Sequence, residues 1–266
     1  MKKTSNNKTQ KNTHPFIKKY KYVLIGFFAV MLGFGIYVVY GLPSIEELEN
    51  PRPQLASKVW TVDGEILGQF FIENRIETNV DSIPQHLINA LIATEDRNFY
   101  SHWGVDLVRF GKAMTKNLFT FSREGASTIT QQLAKNLYSL KSVNENPVET
   151  VARKVREWLS SVQIERNFTK KEILELYLNV SYFGKSAFGV ETAANIYFGK
   201  RAKELTVPES ALLIALLKSS VNYDPERKMD RALARRNLVM HNMVSAGYLS
   251  ESDYDRYKNE PIILAK

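Results

Sequence analysis

Three short stretches hold the residue types that a reaction would need. Glu95 and Asp96 close the apolar run HLINALIAT. In a helix, the pair sits at the C-terminal end, where the dipole disfavours negative charge and tends to raise a carboxylate's pKa. A carboxylate tuned towards neutrality suits a general base. A solvated acidic pair at a helix end fits the same letters. Residues 125–136 (GASTITQQLAKN) crowd small hydroxyls, two adjacent amides, a lysine and an asparagine together. If helical from about Thr128, this stretch places Thr128, Gln132 and Lys135 on one face, suited to a phosphate or to sugar hydroxyls. An N-capped amphipathic helix with a polar outer side is the plainer alternative. Residues 153–157 (RKVRE) set Arg153 and Glu157 one helical turn apart. That is either a simple i,i+4 ion pair or a cationic seat for a pyrophosphate with a carboxylate beside it.

The elements that must position these residues are mostly helices. Pro84 can occupy the first turn of the helix that ends at Glu95. Thr169 with Glu172, and Thr206 with Glu209, form capping-box patterns before apolar runs. Asp230 is placed to cap a helix that Gly247 ends. Upstream, SKVWTVDGEILGQFF carries two β-rich runs about Asp63-Gly64, the pattern of a two-residue hairpin. Residues 105–121 (VDLVRFGKAMTKNLFTF) mix apolar side chains, Phe119 and Phe121 among them, with Arg109, Lys112 and Lys116. Such a segment either lies in a headgroup region or packs on the domain with its lysines in water.

Charge and hydropathy divide the chain further. Of 266 residues, 44% are apolar, enough for a packed core. The net charge of +8 is concentrated in residues 1–21, which hold seven lysines and no acid. The remainder is close to neutral, so a nucleic-acid partner is not expected. Residues 22–42 carry no formal charge, and as a helix they span about 31 Å, a bilayer's hydrocarbon thickness. Lysines before this run and Glu46, Glu47 and Glu49 after it orient the tail towards the cytoplasm. There are no cysteines, and His14, His86, His102 and His241 show no metal-ligand spacing.

Five motifs in order resemble glycosyltransferase family 51, the peptidoglycan glycosyltransferases. They are residues 95–104 (EDRNFYSHWG), 125–136, 153–157, 171–179 (KEILELYLN) and 235–243 (RRNLVMHNM). The resemblance implies a mostly α fold, with a lysozyme-like glycosyltransferase lobe, a small membrane-facing jaw, one short β-hairpin and one N-terminal transmembrane helix. The domains expected are a cytoplasmic basic tail (1–21), a transmembrane helix (22–42), a linker (43–56), a glycosyltransferase domain (57–260, jaw about 105–124) and a C-terminal tail (261–266). The activity implied is inverting polymerisation of lipid II into β-1,4-linked glycan with release of undecaprenyl pyrophosphate. Glu95 then matches the general base on the acceptor hydroxyl. Glu157 matches the carboxylate that assists at the donor pyrophosphate, directly or through a divalent cation (Mg or Mn); no organic cofactor is implied. Ser127, Gln131, Gln132, Lys135, Asn136, Arg153, Lys154 and Asn179 match substrate-binding positions. Asp96, Phe99, His102 and Gly104 match supports of the Glu95 loop, with His102 a structural hydrogen-bonder.

Partners implied are lipid II, the growing lipid-linked glycan, membrane lipids and other cell-wall synthesis proteins. The site implied is the cytoplasmic (inner) membrane, single-pass, with the catalytic domain outside. The phosphoglycolipid moenomycin is the family's donor-site inhibitor. Two departures stand out. The loop of residues 141–152 is longer than usual, and Glu149 stands where a basic residue is common, leaving Lys141 or Arg156 to replace it. The chain ends at Lys266 without K-T-G, which fits a monofunctional enzyme or the front piece of a bifunctional one. A glycan-cleaving enzyme and a non-catalytic scaffold are the rival readings; residues 125–136 and the anchor oppose the first, Glu95 and Glu157 the second.

Overall fold

The structure is a computed structural model, and it describes residues 15–44, 46–47, 57–60, 66–70, 74–120, 125–138, 140 and 145–265. The backbone falls into two units, residues 1–42 and 43–266. Among the described residues, the first holds helix α1, Pro15–Tyr40. Its stretch Tyr20–Tyr40 has a mean hydropathy of 2.3 and exposes nearly all of its apolar side chains, so it is long and apolar enough to cross a membrane. Most of the expected basic tail lies outside the described residues, as does most of the expected linker.

The second unit is mostly helical. Strands β1 (Ser57–Trp60) and β2 (Ile66–Phe70) pair antiparallel, Ser57 opposite Phe70 and Trp60 opposite Ile66. The Asp63-Gly64 turn expected between them lies outside the described residues. Two further two-residue strands, β3 (Asn74–Arg75) and β4 (Ala187–Phe188), pair in parallel.

The helices that follow are α2 (Gln85–Glu95), α3 (Leu107–Thr120), α4 (Ile129–Leu137), α5 (Pro147–Asn167) and α6 (Lys170–Val180). After them come α7 (Val190–Phe198), α8 (Val207–Lys218), α9 (Met229–Ser245) and α10 (Glu251–Tyr257). Helix α8 buries Leu212, Leu213, Ile214 and Leu216 around its whole girth, so it must run through the core. It packs against α2 and α9, which also pack on each other. Helix α4 packs on α5 and α6. The site-bearing end of α2 is thereby fixed to the central helix, and the site-bearing start of α4 to the two helices beside it.

Local chemistry explains most of the boundaries. Thr169 with Glu172 and Thr206 with Glu209 make the expected reciprocal capping bonds. Gly247, at φ 76°, follows α9 as expected. Two start signals shift. Pro84 is the N-cap of α2 rather than a first-turn residue. Lys228, not Asp230, precedes α9, and Asp230 sits in its first turn, where a negative charge meets the helix dipole. Glu149, the acid in place of a basic residue, is the third residue of α5 and bonds reciprocally with Asn146 (2.9 and 3.0 Å). Its carboxylate is spent on starting the helix. Lys141 lies outside the described residues, and Arg156 is half-buried on α5.

Helix α3 is the described part of the expected jaw. Leu107, Val108 and Met114 are exposed along it. Nothing is described of the side chains of Phe119 and Phe121. One ring contact ties the helix down: Phe110 meets Trp158 of α5 edge-on, centroids 4.8 Å apart.

Candidate active site

Helix α2 stops at Glu95 because the next residue leaves helical geometry, at φ −156° and ψ 79°, and turns its side chain inward. Asp96 is completely buried. Its Oδ2 accepts from the His102 Nε2 (2.8 Å) and from the backbone N–H of Ile129 (3.0 Å), the first residue of α4. A carboxylate at a helix N-terminus satisfies an otherwise orphaned donor and meets the positive end of the dipole. Gly104 N–H donates to Nδ1 of His102 (3.0 Å), so the ring proton sits on Nε2 and points at Asp96. His102 is thus held at both nitrogens, as a structural hydrogen-bonder is.

Gly104 has φ +101°, and a Cβ there would lie 2.7 Å from the carbonyl oxygen of Ser161. Glycine is required by both the angle and the closeness of α5. The Gly104 carbonyl accepts from the Thr128 hydroxyl (2.7 Å), which in turn accepts from Gln131 N–H as the N-cap of α4. Phe99 is buried beneath Lys170, whose ammonium lies 4.5 Å from the ring centroid. Asp96, Phe99, His102 and Gly104 thus each have a defined contact beside Glu95.

Glu95 itself is half-buried. Its Oε2 accepts from the Gln132 amide (2.9 Å), and among the described residues its Oε1 has no hydrogen-bond partner. The Glu95 backbone carbonyl, one of the helix's orphan acceptors, takes a bond from the Arg109 guanidinium (2.6 Å). Arg109 also lies 3.5 Å from Asp96 and donates to the Gly125 carbonyl (3.3 Å). The sequence left the Arg109 segment either in a headgroup region or packed on the domain, and gave Arg109 no partner of its own. In the structure it ties α3 to the end of α2.

The second carboxylate, Glu157, is 1% exposed on α5. It pairs with Arg153 one turn away and with Lys154 three residues away. Arg153 also bonds Glu145 (2.8 Å). Burial works against the Arg153 charge, but the hydrogen bonds to Glu145 and Glu157 more than offset this and hold its pKa above the usual value. Lys154 is the more accessible cation, its side chain 44% exposed, and it approaches the Ser127 hydroxyl at 3.5 Å. A cavity of about 520 Å³ opens beside it, with a mainly apolar lining that includes Phe110, Met114, Ala126, Ser127, Lys154 and Trp158.

Helix α4 and its lead-in reach Glu95 directly, through Gln132, and Glu157 by way of its cation partner, through Ser127 to Lys154. Other expected binding residues are placed differently. Thr128 is buried and spent on Gly104, so the shared face expected with Gln132 and Lys135 is incomplete. Gln131 is buried in the capping box of α4. Asn179 is buried, and both ends of its amide are bonded to the backbone of Thr78 (2.9 and 3.0 Å). It clasps the segment before α2 rather than offering a free amide to a ligand. Asn136 is exposed and Lys135 half-buried on α4. Among the described residues, no group of three or more His, Asp or Glu side chains is placed to hold a metal ion. Glu157 accepts from a cation on each oxygen, so its donor set does not suit a divalent ion without losing an ion pair.

A carboxylate with one oxygen held and one open, a pair of cations, and an apolar cavity beside the more exposed cation can together serve a reaction between a hydroxyl and an anionic, lipid-like group. Against known proteins, a family model described as transglycosylase matches residues 63–244, and the chain belongs to that family. Penicillin-binding protein 1A of Aquifex aeolicus is 43% identical over 246 residues, covering 92% of this chain and 33% of that protein. Penicillin-binding protein 1A of Escherichia coli K12 is 40% identical over 254 residues, covering 92% and 29%. The crystal structure of penicillin-binding protein 1A from Haemophilus influenzae overlays 80% of this chain and 22% of its own, at a TM-score of 0.46 and 25% identity. The assignment rests on the sequence matches. The chain spans about a third of the length of the curated relatives it matches.

Proposed function

We propose that this chain is a membrane-anchored peptidoglycan glycosyltransferase that polymerises lipid II by single displacement with inversion. The observation that carries the reading is the open Oε1 of Glu95, linked through Gln132 and Ser127, on α4 and its lead-in, to the Lys154–Arg153–Glu157 cluster and its apolar cavity. The acceptor's 4-hydroxyl attacks the anomeric carbon of the lipid-linked donor. Glu95 takes the hydroxyl proton, and the bond from that carbon to the phosphate oxygen breaks. Undecaprenyl pyrophosphate leaves with the bonding electrons, its charge balanced by Lys154 and Arg153. An α-linked donor then gives a β-1,4 product. The apolar cavity suits the first part of the donor's prenyl chain.

In this reading residues 22–42 anchor the chain in the cytoplasmic membrane, residues 1–21 stay inside, and the domain of residues 57–260 works outside. The exposed apolar side chains of α3 beside Lys112 and Lys116 suit contact with that membrane. Lipid II, the growing glycan and other cell-wall synthesis proteins are the partners.

The test is turnover of lipid II by the purified chain in detergent or liposomes. Glycan polymer and undecaprenyl pyrophosphate are expected in equal step; failure to make polymer would overturn the proposal. At the donor side, Lys154→Ala is expected to weaken moenomycin binding by about 10- to 100-fold, the worth of one charge-assisted contact to phosphate. Its side chain is partly exposed, so folding should survive. Calorimetric titration checks this, and wild-type affinity would remove Lys154 from the donor site.

A further inference from the structure

Behind the Glu95–Gln132 bond stands a third residue. Tyr177, on α6, is 1% exposed, and its hydroxyl donates to Oε1 of Gln132 at 3.0 Å. The other end of that amide, Nε2, donates to Oε2 of Glu95 at 2.9 Å. A primary amide has a donor end and an acceptor end of nearly the same shape, and a half-turn exchanges them. Facing a carboxylate, only one of the two orientations attracts. With the phenol donating to Oε1, the NH₂ group is directed at Glu95. With the amide reversed, its oxygen would repel the carboxylate. Burial and the nearby Glu95 charge push the Tyr177 pKa up, so the hydroxyl keeps the proton it donates.

We propose that Tyr177 is a positioning residue for Glu95: its hydroxyl fixes the Gln132 amide, the amide holds Oε2, and Oε1 is thereby left open to the acceptor hydroxyl. The inference rests on the reading of Glu95 as the base. It also gives Gln132, expected among the substrate-binding residues, a place beside the base. The geometry is one of preorganisation. A base whose two oxygens rotate freely presents the right lone pair for only part of the time, and one held at Oε2 presents it throughout.

The test is Tyr177→Phe, which keeps the buried ring and removes only the hydroxyl. The expected result is about a tenfold fall in kcat for lipid II polymerisation, on the scale of one lost hydrogen bond. KM and moenomycin affinity should stay at wild-type values. In a Glu95→Gln background, measured at high enzyme concentration, Tyr177→Phe should cause no further loss, because the residue it acts through is gone. Gln132→Leu cuts the same chain in its middle, and combining it with Tyr177→Phe should cost no more than Gln132→Leu alone. Wild-type kcat in Tyr177→Phe, or an equal loss in the Glu95→Gln background, would overturn the inference and leave Tyr177 a packing residue. Near-normal turnover in Glu95→Gln by itself would overturn the reading of the base instead, so the two failures are distinguishable.

Discussion

Replacing Glu95 by Gln is expected to lower lipid II turnover by about 10²–10⁴-fold, the usual worth of a general base. The substitution is close to isosteric, and the side chain is half-buried rather than packed in the core, so the fold should not respond. The new amide oxygen can still accept from Gln132, as Oε2 does now. What is lost is the capacity to take up a proton. The cations of the donor side pair with Glu157 and Glu145, not with Glu95. Moenomycin affinity should therefore match the wild type while polymer synthesis collapses. A gel assay of glycan products alongside calorimetric titration of the inhibitor reads both quantities on one preparation. Polymerisation within a few-fold of wild type would reduce Glu95 to a solvated helix-end acid.

The largest stability effect is expected at Asp96. Its carboxylate has no exposure and serves His102, the Ile129 N–H and Arg109 together. Asp96→Ala leaves the imidazole N–H and the helix N–H without acceptors in a buried place, and removes the negative charge beside Arg109. Breaking a buried charge network in this way costs about 3–5 kcal/mol. For a domain of this size the melting temperature should fall by on the order of 10 °C. Thermal unfolding followed by circular dichroism in detergent measures it. An unchanged melting temperature would mean that the bonds to Asp96 contribute little, and that the start of α4 is held by Thr128 alone.

The parts of this molecule that depend on neighbours in the chain were legible in its letters. The capping boxes at Thr169 and Thr206, the end of α2 at Glu95 and the apolar helix near the N-terminus all follow from residues a turn or two apart. The Arg153–Glu157 pair follows in the same way. The parts that depend on distant partners were not. Periodicity places Gln132 on a face, but it does not say that Glu95 lies opposite. Asn179 reads as a free polar group until Thr78 is brought against it. Arg109 reads as a surface cation until the carbonyl of Glu95 arrives. In each case the side chain is polar and its sequence neighbours are uninformative. What decides its role is a group on another element. Tyr177 was the hardest to foresee, because a buried tyrosine inside an apolar run looks like core, and only its hydroxyl does otherwise.

The chain of bonds around Glu95 also has a history in time. Glu95 and Gln132 are 37 residues apart, Gln132 and Tyr177 a further 45, and the Thr78–Asn179 clasp closes a span of 101. Closing loops of such length is an entropic cost met only once the far partner is in place. Individual helices form within about a microsecond, but contacts this distant in sequence set the pace of folding. During synthesis at roughly 5–20 residues per second, Tyr177 follows Glu95 by about 4–16 s. Once residue 137 has been made and until Tyr177 arrives, α2 and α4 can exist while the carboxylate between them has no fixed orientation. The geometry around Glu95 is completed by its latest-made member, when α6 docks.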